Sequence, residues 1–361
     1  MSEPLETWTD SSVGETRQAL VRDGRVIALR IARASEAGRR ARWGEVYSAR
    51  VTQVDRRRRG AFLDLGLKEQ QGFLPLEQDG KARRGKHERT HLKEGAGVVV
   101  AITREAARGK SPVVELIEAA FDGGAPHRLA VHESDEDLAR AKPADSSTRF
   151  KLDAAIEDAL ARTAPIPGGG LLTIDPTAAL VAIDVDAGGR AGANDAERFA
   201  LDLNIAAAQE IARQVRVRGL GGIIAIDFVS MRAKPHRAKL ELALKAAFAG
   251  DPWAVQFGML SRFGVFELSR AQMYAPLHEV QRDSEGRLSV ETLALMALRA
   301  IEREARAVTG RQIACTVAPE VKAWLDAAEF GWRAELSNRI GMRWTLDAAP
   351  GPRDRIDARA L

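Results

Sequence analysis

The chain of 361 residues holds one cysteine, Cys315, so it has no internal disulfide and no Cys-x-x-Cys metal motif. No apolar run approaches the roughly 20 residues a membrane span requires, and the polar, acidic start from Met1 to Asp10 has no apolar signal core. A reducing cytoplasm is therefore the expected location. Gly168-Gly169-Gly170 has no Gly-Lys-Ser/Thr continuation and cannot cradle phosphates as a P-loop does. The six histidines are scattered without ligand spacing, and no Gly-x-Ser-x-Gly elbow occurs. Nucleophilic serine chemistry and histidine-held metals are thus weak readings: His87 and His91 are four apart, but their segment reads as a loop with no third ligand near in sequence.

What is present is an ordinary globular composition, 45% hydrophobic and 29% charged with a net charge of +4, long enough for two or three domains. Basic residues cluster. Arg56-Arg57-Arg58-Arg59 is a solid run, and Lys81, Arg83, Arg84, Lys86 and Arg89 follow in one polar segment. Such clusters suit a phosphate backbone, and equally a solvated loop.

Residues 1–18 read as a disordered tail. Residues 19–33 read as a hairpin turning at Asp23-Gly24. Short strands at Val46–Val54, Ala61–Leu65, Gly72–Leu74, Val98–Ile102 and Val113–Leu116 predict a small barrel of the OB type, with a long polar loop at Gln78–Glu94. A linker follows over Phe121–Ser147, with Arg128–Val131 as a strand and Asp135–Ala141 as a helical turn within it. The periodicity then predicts helices at Phe150–Ala164, Ala196–Arg218 and Pro235–Phe248, and strands at Leu171–Ile174, Leu180–Asp184, Gly222–Asp227, Val255–Met259 and Val265–Leu268. The C-terminal part reads as helix Val290–Val308, strand Gln312–Val317, helix Pro319–Ala328 and an edge strand near Arg343–Leu346. The fold class is α/β, in several domains.

Two apolar strands end in aspartate, at Asp184 and Asp227, with a long helix between them. The all-apolar runs read as strands buried on both faces. A right-handed crossover makes the strands parallel and brings both carboxylates to one edge, with Asp186 one pleat beyond Asp184. Two carboxylates at one edge suit magnesium, which can polarise a phosphoryl oxygen and activate water. An aspartate after a strand can instead cap the next turn. In the barrel, Phe62 and Phe73 beside basic residues could stack unpaired bases or fill the core, and Lys110, in a turn, could reach a phosphate.

The block from Leu203 to Phe228, LNIAAAQEIARQVRVRGLGGIIAIDF, resembles the signature of the bacterial ribonuclease E/G family, as do Ala182–Asp186, Gly60–Gly66, Gly72–Leu76, and Ser261-Arg262-Phe263-Gly264 with Glu267–Arg270. The resemblance implies an S1-type OB fold (43–117) inserted in a reduced RNase H-like subdomain (19–42 and 118–165). A DNase I-like catalytic subdomain (166–280) and a small C-terminal domain (287–361) would follow.

The activity implied is a magnesium-dependent endoribonuclease acting on single-stranded RNA, in RNA processing or decay. Manganese would be a possible substitute for magnesium. Asp184 and Asp227 match the metal-binding aspartates, with Asp186 beside them in the catalytic group. Phe62, Phe73 and Lys110 match positions that grip RNA, with Arg56, Arg57 and Arg58 adjoining.

The departures from the family pattern are Asp186 for a usual Asn, Ala187 for Ser and Ser230 for Asp. The pocket segment that senses a 5′-monophosphate and the zinc-link cysteines are not found. The resemblance thus implies a compact member without structural zinc or a zinc-linked dimer, a monomer or a weak homo-oligomer through the C-terminal domain, without a disordered scaffold for partners. A catalytically weakened RNA-binding protein acting in ribosome or RNA maturation is the alternative.

Overall fold

The computed structural model describes residues 5–76, 92–107, 109–119, 121, 124–130, 142–189 and 196–361. From Leu5 onward the segment expected as a tail is ordered. β1 (Glu6–Ser12), β2 (Glu15–Arg22) and β3 (Arg25–Arg33) form a meander. The β2–β3 turn falls at Asp23-Gly24, both with positive φ (51° and 70°), as a type I′ hairpin requires. Charged side chains buried in the meander form ion pairs: Arg17 binds Asp10 at 2.6 Å and also Asp153, and Arg33 binds Glu15 at 3.1 Å. A helix, α1 (Ser146–Leu160), is capped by Asp145, whose carboxylate accepts from the Thr148 amide. Its Leu152 and Ala159 pack with Trp8, Ala19 and Val21 of the meander. The helix starts four residues before the expected Phe150 and ends at Leu160, because residues 163–165 are drawn into a strand.

The barrel is built of β4 (Val46–Asp55), β5 (Gly60–Asp64), β6 (Gln71–Pro75), β7 (Gly97–Arg104) and β8 (Val113–Ala119). Its order is β5-β6-β8-β7-β4, and the β4–β5 pairing closes it. Tyr47, Leu63, Leu74, Val98 and Ile102 fill the inside. The linker's expected strand is β9 (His127–Ala130), added to the β4 edge, and β10 (Lys142–Pro143) joins β1 in parallel. Most of the basic loop, residues 77–91, and the expected turn at Asp135–Ala141 lie outside the described residues.

The central layer is a sheet of β11 (Thr163–Pro165), β12 (Leu171–Pro176), β13 (Val181–Asp186), β14 (Gly222–Asp227), β15 (Val255–Leu260) and β16 (Val265–Arg270). The order is β11-β12-β13-β14-β16-β15, and only the β13–β14 pair at its centre is parallel. Two helices, α2 (Ala196–Val217) and α3 (Lys234–Ala247), cover one face. Ile211 and Val215 of α2 and Leu240 of α3 share a core with Ile183, Ile224 and Ile226.

Among the described residues the opposite face is open, and this corrects the reading of both strands as buried on two sides. Residues alternate along them: Val181, Ile183 and Val185 are buried while Asp184 and Asp186 are exposed, and Ile223 is 53% exposed. The run looked continuously apolar because Ala182 and Ala225 are small side chains on the open face.

The C-terminal part comprises α4 (Leu277–Gln281), α5 (Val290–Ala307), β17 (Ile313–Val317), α6 (Pro319–Ala327), α7 (Trp332–Ile340), β18 (Trp344–Ala348) and β19 (Ile356–Ala360). β17 lies between parallel β18 and antiparallel β19. Neither α7 nor β19 was visible in the hydrophobic pattern. Among the described residues no helix is long and apolar enough to cross a membrane.

Candidate active site

Asp184 and Asp227 are register partners across the parallel β13–β14 pair. Side chains at paired positions share a face, so both carboxylates stand on the open side of the sheet, and Asp186 follows two residues on. The capping alternative holds for Asp186, whose Oδ1 accepts from the Gly188 amide at 2.9 Å. Among the described residues neither Asp184 nor Asp227 makes such a turn-capping bond; the Asp184 carboxyl accepts from the amide of the next residue, Val185.

Partial desolvation pushes the Asp184 carboxyl above its ordinary value, and the Asp227 and Asp186 carboxylates push it the same way. The three therefore form a mutually repelling anionic group that a cation would relieve. Among the described residues no three acidic, histidine or cysteine groups converge as a preformed cage. Magnesium is a hard ion that takes one or two protein carboxylates and completes its shell with water and phosphate oxygens. The donors present are all oxygen, so the group fits such an ion and offers nothing to a thiolate-seeking metal.

The loop leaving Asp227 is held by α2, which sequence reading did not single out. Asn204, fully buried, donates Nδ2–H to the Val229 carbonyl at 2.8 Å and accepts from the Val229 amide at 3.1 Å. Glu197, two turns earlier on the helix, accepts from the amides of Arg232 (3.0 Å) and Ala233 (2.9 Å) and lies 3.3 Å from His236 Nδ1. Those bonds hold the Glu197 carboxyl below its ordinary value. The only clue in the sequence was a polar residue at a core position of an amphipathic helix, which marks a buried group in need of partners.

On the other side of Asp227 its register partner is Val265, so the β15–β16 turn stands next to it. The turn is tight: Ser261 N–H donates to the Val265 carbonyl at 2.9 Å and Gly264 N–H to Ser261 O at 3.1 Å, with Gly264 at φ 90°. Phe263 at its tip is 77% exposed, and the Arg262 guanidinium sits 4.6 Å over its ring.

The expected RNA-gripping residues gather on the barrel, a different sheet from the aspartates. Phe62 and Phe73 are cross-strand partners on β5 and β6 with centroids 5.4 Å apart, both half-buried. They belong to neither the barrel's buried core nor the bare surface. Arg56, Arg57 and Arg58 form the β4–β5 hairpin tip, where Asp55 accepts from the Arg57 and Arg58 amides and Arg58 lies 5.7 Å over the Phe62 ring. Lys110 is exposed in the β7–β8 turn, two residues before Pro112, whose carbonyl accepts from the Phe73 amide.

Residues 124–273 match the family model described as the Ribonuclease E/G family. Ribonuclease E of Haemophilus influenzae is 32% identical over 58% of this chain and 23% of its own length. Ribonuclease E of Escherichia coli K12 is 35% identical over 49% of this chain and 17% of its own. Ribonuclease G of the same organism is 29% identical over 56% and 42%. The chain thus spans less than half the length of each of these relatives. The family segment contains Asp184, Asp186, Asn204, Asp227 and Phe263, whereas the barrel's Phe62, Phe73 and Lys110 precede it.

Proposed function

We propose that this chain is a member of the ribonuclease E/G family and a magnesium-dependent endoribonuclease that cuts phosphodiester bonds in single-stranded RNA during RNA processing or decay. The observation that carries the reading is the Asp184–Asp227 register pair, standing on an open sheet face inside the family-matched segment. A duplex or single strand can approach an open face, whereas a small-molecule enzyme would enclose its substrate.

In this reading Asp184 and Asp227 hold the ion, which when bound supplies a Lewis acid for the phosphoryl oxygen and an activated water. Asp186 adds negative charge beside the pair. Asn204 fixes the loop that follows Asp227, and so sets where that carboxylate points. The Phe263 ring stacks an unpaired base beside the scissile bond, and Arg262 meets a phosphate. Phe62, Phe73, Lys110 and Arg56–Arg58 grip a more distant part of the strand. The products would be a 5′-phosphate and a 3′-hydroxyl.

The test compares the parent with Asp227→Asn on a single-stranded oligonucleotide across a magnesium titration, with manganese as a second series. The variant should bind the RNA but cut it at least about a hundredfold more slowly, as loss of a metal-holding carboxylate predicts. Equal turnover by variant and parent would remove the aspartates from the mechanism. Tight binding without cleavage by the parent would make the chain a binding protein.

A further inference from the structure

A cavity of about 620 Å³ opens between the N-terminal meander, the barrel's entry and the base of the central sheet. It lies at the far end of β14 from the aspartates. Gly222 begins β14 and pairs with Arg270, a cavity-lining residue, while Asp227 ends the strand. Five residue steps separate those ends, roughly 16 Å of extended chain. The cavity is thus a second place, built on the same strands as the aspartates but distinct from them.

Its aromatic lining is a connected set. The Tyr274 ring meets Trp43 edge-on at 5.6 Å and Trp253 at 5.0 Å. Arg30 lies 4.9 Å over Tyr274 and Arg270 lies 3.9 Å over Trp253. The charge is unbalanced. Arg270 is spent on Asp251 and the Leu220 carbonyl, and Arg218 on Gln214 and the Ala161 carbonyl. Arg40 and Arg42 share Glu36. The Glu105 carboxylate is taken up by the amides of Trp43 and Ala275. Arg22 and Arg30 also line the space, and neither pairs with a carboxylate among the described residues. Burial pushes the Arg216 guanidinium down, and the like charges of Arg270 and Arg22 push it further, against the pull of Asp251. The cavity therefore has a positive field in search of an anion.

We propose that this cavity binds a nucleoside phosphate, with the base against the Trp43–Tyr274–Trp253 cluster and the phosphate between Arg22 and Arg30. Aromatic rings offer every base a stacking face, and arginine forks match phosphate oxygens. The volume falls in the roughly 300–1,000 Å³ range of small-ligand sites. The unit bound is either a free nucleotide or one nucleotide of an RNA strand. The site does not depend on the cleavage reading, because none of its groups takes part in it.

Trp43 and Trp253 provide the signal, so quenching of intrinsic fluorescence follows binding. The probes are the four ribonucleoside 5′-monophosphates, adenosine, inorganic phosphate and a single-stranded oligoribonucleotide. At least one monophosphate should saturate below about 1 mM, with adenosine and phosphate at least about tenfold weaker. Arg30→Gln and Tyr274→Ala should each weaken it by about tenfold or more, Arg30→Lys should restore part of it, and Asp227→Asn should leave it unchanged. Displacement of the nucleotide by the oligonucleotide in Asp227→Asn would assign the site to the RNA strand. Simultaneous binding of both would assign it to the free nucleotide. No saturable binding by any monophosphate would overturn the proposal. So would binding that survives both Arg30→Gln and Tyr274→Ala, or that disappears in Asp227→Asn.

Discussion

Asn204 grips the backbone of Val229 from both sides, donating to its carbonyl and accepting from its amide, two residues after Asp227. A side-chain amide is the group suited to this, since it carries one donor end and one acceptor end in a plane. Asn204→Ala would leave a carbonyl and an amide without partners in a part-buried loop, a loss of about 1–3 kcal/mol. Asn204→Asp keeps the acceptor and loses the donor. Both variants should melt at lower temperature, and both should lose turnover while the oligonucleotide still binds through the barrel. A variant that melts lower yet turns over at the parent's rate in a cool assay would show that the loop does not position Asp227.

The legible parts of this fold are those in which buried faces are apolar. The Asp23-Gly24 hairpin, the barrel strands and the β13–α2–β14 crossover followed from turn chemistry and periodicity. β1 did not, because the residues that bury beside Trp8 include Asp10, and those of β2 include Glu15 and Arg17. A face buried as ion pairs looks like a solvated tail to any hydrophobicity pattern. α7 carries only Trp332 and Leu336 into the core, and β19 is an edge strand with no fully buried side chain, so neither had a periodic signal to read. At the site, the aspartate pair was legible because topology alone sets it. The open face was hidden by two alanines, and the work of Asn204 and Glu197 lies in tertiary contacts with a loop about 25–35 residues away, which spacing does not reveal.

The buried Asp10 makes the N-terminal sheet acid-sensitive. Burial pushes its carboxyl up, but hydrogen bonds from Arg17 at 2.6 Å and Arg149 at 2.8 Å outweigh that and hold it below its ordinary value of 3.8. A carboxyl whose folded value is depressed gives stability that is full above its unfolded value and fades as pH falls through the folded one. The protein should therefore keep this contribution at pH 5 and above, and lose it below pH 3.8. Asp10→Asn leaves the buried Arg17 with Asp153 alone and should cost about 3 kcal/mol at neutral pH. Denaturant melts of parent and variant from pH 7 downward should converge as acid protonates Asp10. Parallel curves would mean the ion network contributes nothing.

Gly60 has a role its flexibility does not explain. A Cβ there would lie 2.2 Å from the Phe73 ring and 3.1 Å from the Leu74 carbonyl, so the glycine is what lets that ring lie beside Phe62. Gly60→Ala must swing Phe73 aside. If the pair stacks RNA bases, the variant should lose affinity by about 1–3 kcal/mol, as deleting one stacking ring would. Phe73→Ala gives the reference value, and Asp227→Asn in both backgrounds prevents cleavage during the titration. Full affinity in Gly60→Ala alongside a loss in Phe73→Ala would show that the ring binds from more than one position. Full affinity in both would remove Phe73 from RNA binding.

Phe263 is a large apolar ring, 77% exposed, held by a tight turn next to the register partner of Asp227. An exposed aromatic ring offers a face on which an unpaired base can stack. In the proposed reading a base stacks on this ring, and Arg262, whose guanidinium lies 4.6 Å from the ring centre, meets the adjoining phosphate. An oligonucleotide carrying 2-aminopurine at successive positions reads this directly, since the probe dims when it stacks. In the Asp227→Asn background, one position near the cleavage point should be quenched. Phe263→Ala should restore its fluorescence and weaken binding by about 1–2 kcal/mol, whereas Phe263→Trp should keep both. If the parent cuts RNA as proposed, the same alanine should raise KM more than it lowers kcat, because stacking would hold the strand before and during the reaction alike. Quenching that persists in Phe263→Ala would place the base elsewhere on the open face, with the exposed Ile223 as the nearest apolar alternative on β14.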